Sequence, residues 1–213
     1  MQIQLTFEKK ILMSLIMVVF LVVPLCLLGC ANSASTDPES KKQLSPADFF
    51  PLTQGSRWEY AGEGNEYAPF VREIQYVDNN RAQLKDTNPG ASSISIYRTT
   101  DKVVTRVFFE GEAYEDANFL NRPDEENTII LQAPLKVGTK WEAPNAIREI
   151  VAIDAQVDTP VGLFEDCIKV EISFNESTSF EYYKNGIGLV KREFTSGNYT
   201  VTSTLEAYNI KEN

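Results

Sequence analysis

From residue 56 onward, apolar and polar side chains alternate along the chain with a period of two. Such alternation puts successive side chains on opposite faces of a pleated strand. Val71, Glu73, Gln75 and Val77 alternate with Arg72, Ile74 and Tyr76. Asp78-Asn79-Asn80 then reads as a turn, because Asn and Asp tolerate positive φ, and residues 82–85 return as the partner strand. Residues 93–99 set Ile94, Ile96 and Arg98 on one face, and residues 103–109 follow a Thr-Asp-Lys turn. Residues 127–131 are a short β-branched run, and residues 148–157 make a long strand. Residues 164–174 make another, with Ile168, Val170, Ile172 and Phe174 on one face. Residues 180–183, 187–194 and 199–208 complete a meander through Asn-Gly and Ser-Gly-Asn turns. This punctuation predicts an all-β, mainly antiparallel fold: a curved meander sheet or a partly open barrel, with one or two short helices. Ser45 as N-cap with Pro46 in the first helical position predicts one short turn, and a fainter signal over residues 111–121 predicts a second.

One phrase occurs twice. PLTQGSRWEY at 51–60 returns as PLKVGTKWEA at 134–143, and Trp58 and Trp141 are the only two tryptophans in the chain. Val71-Arg72-Glu73-Ile74 after the first copy matches Ile147-Arg148-Glu149-Ile150 after the second. Each copy predicts a tight turn at its glycine (Gly55, Gly138), then a strand carrying the tryptophan, then a hairpin into the Arg-Glu-Ile strand. The fold is therefore expected to contain two related halves. Gly55, Trp58, Gly138 and Trp141 are expected to be structural anchors, with the indoles buried. The competing expectation is an exposed aromatic platform for a sugar or a peptide.

The amino-terminal segment has a different character. Lys9 and Lys10 precede an apolar run over residues 11–28, which ends in Leu27-Leu28-Gly29-Cys30. A basic start, an apolar core and a small residue before the cut define a secretory signal peptide, residues 1–29. The ending resembles the lipobox of bacterial lipoproteins. That resemblance implies cleavage after Gly29 and lipidation of Cys30, the membrane attachment of the mature chain. The apolar run is also about long enough to span a bilayer as an uncleaved anchor. Residues 31–45 are rich in Ser and lack aromatics, so with Cys30 they form a lipidated, solvated tether. Residues 46–213 are then expected to be a single β-rich domain.

Charge and chemistry narrow the function. Losing Lys9, Lys10 and Glu8 with the signal takes the formal balance from −10 to −11. An acidic chain argues against nucleic-acid partners and against a polybasic grip on anionic lipid. The chain has no histidine, which excludes Ser-His-Asp and Cys-His catalysis and the usual zinc sites. No phosphate-binding glycine loop occurs. Asp78–Asn80 and residues 124–127 could bind calcium but read more simply as turns, so no metal and no cofactor are expected. Cys167 is expected to be a small, partly buried and unreactive hydrophobe.

Two further phrases, Thr159-Pro160-Val161-Gly162-Leu163-Phe164-Glu165-Asp166-Cys167 and Tyr182-Tyr183-Lys184-Asn185-Gly186-Ile187-Gly188-Leu189-Val190-Lys191, join the repeated Pro-Leu-x-x-Gly-x-x-Trp. Together they resemble a set of poorly characterised bacterial secreted lipoproteins. The resemblance implies a β-rich envelope domain and no particular activity. The expectation is a non-enzymatic, extracytoplasmic lipoprotein: an interaction module for an envelope protein or polymer. The alternative is a carrier holding a lipid or small hydrophobic ligand in a half-barrel cavity. Replacing Cys30 with Ser should abolish lipid labelling and release the protein from the membrane; labelling that persists in the mutant would contradict the anchor assignment.

Overall fold

The computed structural model describes residues 43–212. The expected signal peptide, Cys30 and the expected tether up to residue 42 lie outside the described residues. In the first half, the strands are β1 (Arg57–Glu63), β2 (Phe70–Asp78), β3 (Arg81–Thr87), β4 (Ser92–Thr99), β5 (Val103–Glu110) and β6 (Thr128–Gln132). In the second, they are β7 (Lys140–Ala143), β8 (Ala146–Thr159), β9 (Gly162–Ser173), β10 (Thr178–Lys184), β11 (Gly188–Ser196) and β12 (Tyr199–Asn209). All twelve form one antiparallel sheet in the order β6-β5-β4-β3-β2-β1-β12-β11-β10-β9-β8-β7. Each half is a simple meander, and the two join where β1 pairs with β12. The sheet curls into a nearly closed barrel. Its two edges are β6 and β7, neighbours in sequence, and no ladder joins them among the described residues.

The repeated phrase builds the same hydrogen-bonded unit twice. Gly55 N–H donates to the Ile74 carbonyl at 2.8 Å, and Ile74 N–H returns to Ser56 at 2.9 Å. In the second half, Gly138 N–H donates to Ile150 and Ile150 N–H to Thr139, both at 2.9 Å. Both glycines adopt left-handed backbone, with φ of 80° and 87°, a region nearly free of strain only for glycine. The register then sets Trp58 opposite Arg72, and Trp141 opposite Arg148. Cross-strand partners share a face, so in each half an indole and a guanidinium point together into the barrel.

Both indoles are buried, at 3% and 6% exposure. Each donates its N–H to the other half of the molecule. Trp58 Nε1 reaches the Ile187 carbonyl at 2.8 Å, in the turn between β10 and β11. Trp141 Nε1 reaches the Ile129 carbonyl of β6 at 3.0 Å, across the open seam. The tryptophan thus fills space beside the seam and supplies a hydrogen bond where the ladder is missing.

Odd-numbered strands of an antiparallel meander all end at one rim and even-numbered strands at the other. The even rim is plugged. Ser45 N–H and Oγ donate to Asp48 at 2.7 and 2.8 Å, capping the 3-10 turn Pro46–Phe49 that the Ser-Pro signal predicts. Gly186 N–H donates to the Asp48 carbonyl at 2.8 Å, seating the turn against the β10–β11 connection. Phe49 and Phe50 are buried there, Phe50 lying 4.9 Å from the Tyr97 ring.

The second expected helix does not form. Residues 111–127 contain no helix; they run as an irregular loop across the outer face of β3–β5. Buried Gln83 holds this loop, donating to the Ala117 carbonyl at 2.7 Å and accepting from Phe119 N–H at 2.6 Å. Leu120 and Phe119 cover Ile96, Val107 and Phe108 beneath it. Coverage of both faces explains why β4 is buried at consecutive positions and does not alternate. Trp58→Ala and Trp141→Ala should each lower the unfolding free energy by about 3–5 kcal/mol, the range for deleting a large core aromatic. Chemical denaturation checks this, and parental midpoints for both variants would show that neither indole anchors the barrel.

Candidate functional site

Inside the barrel, between the Phe50 plug and the odd rim, lies a cavity of about 480 Å³. Tyr67, Phe109 and Phe174 are exposed around its mouth. All three sit at or just beyond the ends of odd strands, as the meander requires. The wall is charged. Arg72, Arg106, Arg148 and Arg192 face it together with Asp86, Glu126 and Glu181.

Three of the four guanidiniums are paired. Arg72 makes a two-pronged contact with Asp86, Nε to Oδ1 at 2.8 Å and Nη2 to Oδ2 at 2.7 Å. Arg106 meets Glu126 with Nε to Oε1 at 2.6 Å. Arg148, 5% exposed, bonds Glu181 through Nη2. Tyr183 donates its hydroxyl to the same Glu181 oxygen at 2.6 Å. Planar guanidinium matched to carboxylate is the arrangement that best tolerates removal from water.

Burial acts to lower the pKa of Arg72, but the adjacent Asp86 more than offsets it, so the pKa is raised well above its ordinary value. Burial acts to raise the Glu181 carboxyl, and Arg148, Tyr183 and Arg192 outweigh that, leaving its pKa below the ordinary 4.5. Arg72 and Glu181 therefore stay charged at neutral pH, and the cavity keeps a polar lining.

Arg72 and Arg148 are the arginines of the repeated Arg-Glu-Ile, and the sequence reading treated them only as strand residues. Their spacing to the tryptophans differs between copies, which hid the shared Trp–Arg pairing. Asp86, Arg106, Glu181 and Arg192 carried no sequence signal, because no local pattern marks which strands meet across a barrel, and Glu126 stood out only as part of the acidic turn over residues 124–127. The anchors Gly55, Trp58, Gly138 and Trp141 frame the unit that presents the arginines and are not on the cavity wall. Cys30 lies outside the described residues.

The other candidates lead away from chemistry. Cys167 is fully buried, with its sulfur 3.8 Å from the carbonyls of Phe164 and Glu165. Its opposite parity to Ile168 does not expose it, because Asp166 adopts a φ of 51° and turns the strand at that point. Burial pushes the thiol pKa up to about 11, away from the thiolate a nucleophile needs. The Asp124 carboxylate is engaged by Arg81 and Arg98, and Asp78 accepts from the Asn79 side chain at 2.8 Å.

No family model and no curated protein matches the chain. Two solved structures are similar to it. One, from Bacteroides fragilis, is described as "a putative exported protein with YmcC-like fold". It shares 19% identity over 76% of this chain and 98% of its own, with a TM-score of 0.48. The other, described as "a putative lipoprotein" from Parabacteroides distasonis, shares 17% identity over 76% and 98%, with a TM-score of 0.38. At these identities and TM-scores, nothing about the site follows from either.

Glu181→Gln leaves the buried Arg148 charge without its counter-ion and should cost about 3–5 kcal/mol at neutral pH. Because the folded-state pKa of Glu181 is depressed, its contribution is full above the ordinary value of 4.5 and is lost as pH falls through the folded value. The melting temperatures of parent and variant should therefore converge on acidification below that value, in thermal scans at stepped pH. A gap that stays constant would show that the pair is not coupled to folding.

Proposed function

We propose that this chain is an extracytoplasmic lipoprotein, anchored through Cys30, that binds a small polar ligand inside its barrel without chemical turnover. The observation that carries the reading is the 480 Å³ cavity, plugged at one rim and open at the other. That volume falls within the usual range for small-molecule sites. The lipobox ending at Cys30 supports the anchor, and the acidic, histidine-free composition supports a binding role. Each cavity carboxylate is engaged by a guanidinium, and the one cysteine in the described residues is buried, so neither offers a free base or nucleophile.

The lining also separates the candidate ligands. An acyl chain would have to lie against guanidinium–carboxylate pairs and leave their remaining polar atoms unsolvated, which is costly. A small polar molecule replaces the solvent those groups lose. An envelope protein or polymer would engage this site only through a group small enough to enter the mouth.

Native mass spectrometry of the lipoprotein, extracted in mild detergent, tests the reading. A small polar molecule released on denaturation is the expected result. A co-purifying phospholipid or fatty acid, or a bare mass from cells grown under several conditions, would overturn it.

A further inference from the structure

The cavity wall has more donors than acceptors. Four guanidiniums face three carboxylates, and each carboxylate is already bonded to an arginine. Arg192, on β11, is the one left over. Among the described residues no carboxylate lies within ion-pair distance of it, and its contact on the wall is the Phe70 ring, 5.1 Å from the guanidinium carbon. Arg148 adds a second shortage: its Nε–H is buried and meets no protein acceptor. Both arginines act on Glu181, so the surplus is concentrated at one side of the cavity. A surplus positive charge inside an otherwise acidic protein is a site for an anion, and a low-dielectric surround strengthens the attraction.

Opposite charge is only half of the wall. Phe70, Tyr97, Phe109 and Ile130 contribute flat or branched apolar surface to the same cavity. A simple inorganic ion would leave that surface facing water. We infer that the barrel receives a small organic oxyanion, a carboxylate or phosphate ester on a compact ring-sized body and not on an acyl chain, with its acid group held by Arg192. This inference rests on the reading of the cavity as a binding site. Arg192 is the specificity-determining residue: it is the one cavity arginine free to form the two-pronged contact that carboxylates and phosphates share.

Equilibrium dialysis of the intact lipoprotein in neutral-detergent micelles, against micelles alone, tests it with 2-naphthoate, 2-naphthyl phosphate and neutral 2-naphthamide. The expected result is that at least one acid binds about tenfold or more tightly than the amide, the scale of one charge-assisted hydrogen bond. Whichever acid binds more tightly identifies the acid group. Arg192→Gln should bring the acids down to the amide's level, and because Arg192 gives up only the Phe70 ring face and its attraction to the cross-strand Glu181, with no hydrogen bond or ion pair, the variant should stay folded in a thermal scan. Equal retention of acids and amide, or an acid preference that survives Arg192→Gln, overturns the anion inference and leaves the cavity reading standing. Retention of none of the three overturns the cavity reading, and the inference with it.

Discussion

A guanidinium inside a barrel must keep its charge and find a counter-ion there, and this requirement shapes the interior of the protein. Arg72 and Arg148 enter the barrel because the repeated phrase sets each opposite a tryptophan on the inward face. Once there, each draws a carboxylate from another strand, Asp86 from β3 and Glu181 from β10. Charged pairs resist the close apolar packing that fills the interior of a small barrel with side chains. The lower interior packs tightly around Phe50, Trp58 and Tyr60, and the upper interior stays open. The cavity is thus a consequence of where the charges are placed.

The tryptophans complete the same design from the other side. A twelve-stranded meander that begins and ends at adjacent strands leaves one edge pair unladdered. Unpaired edges are sites of unwanted association. Here both edge strands are short, five and four residues, and the indole of Trp141 crosses between them to Ile129. Trp58 makes the reciprocal tie, from the first half to the turn that holds the plug. Each half donates one indole N–H to the other, so the halves are coupled by more than the β1–β12 ladder.

Most strands were legible as period-two runs, and the Ser-Pro signal for the 3-10 turn was legible in the same way, because both depend on local spacing and capping. Residues 111–121 carry a faint helical signal but fold as a loop, continuous with the polar loop over 121–127. Its apolar residues, Phe119 and Leu120, are spaced to cover the outside of a sheet and not to form a helix face, and nothing local distinguishes the two. The repeated Trp and Arg positions were visible, but their pairing was masked by the longer first hairpin. The meeting of the cavity partners was invisible: residues 86, 126, 181 and 192 come together only when the sheet curls.

The sequence alone determined the period of the strands, the two-fold repetition, the absence of histidine chemistry and the Leu-Leu-Gly-Cys ending of the apolar run at Cys30. These follow from residue type and short-range spacing. Tertiary structure decided which rim is closed, which charges face each other and that Arg192 is left without a counter-ion. Those outcomes depend on closing the sheet, which brings distant strands face to face and makes the charge on one strand a constraint on another.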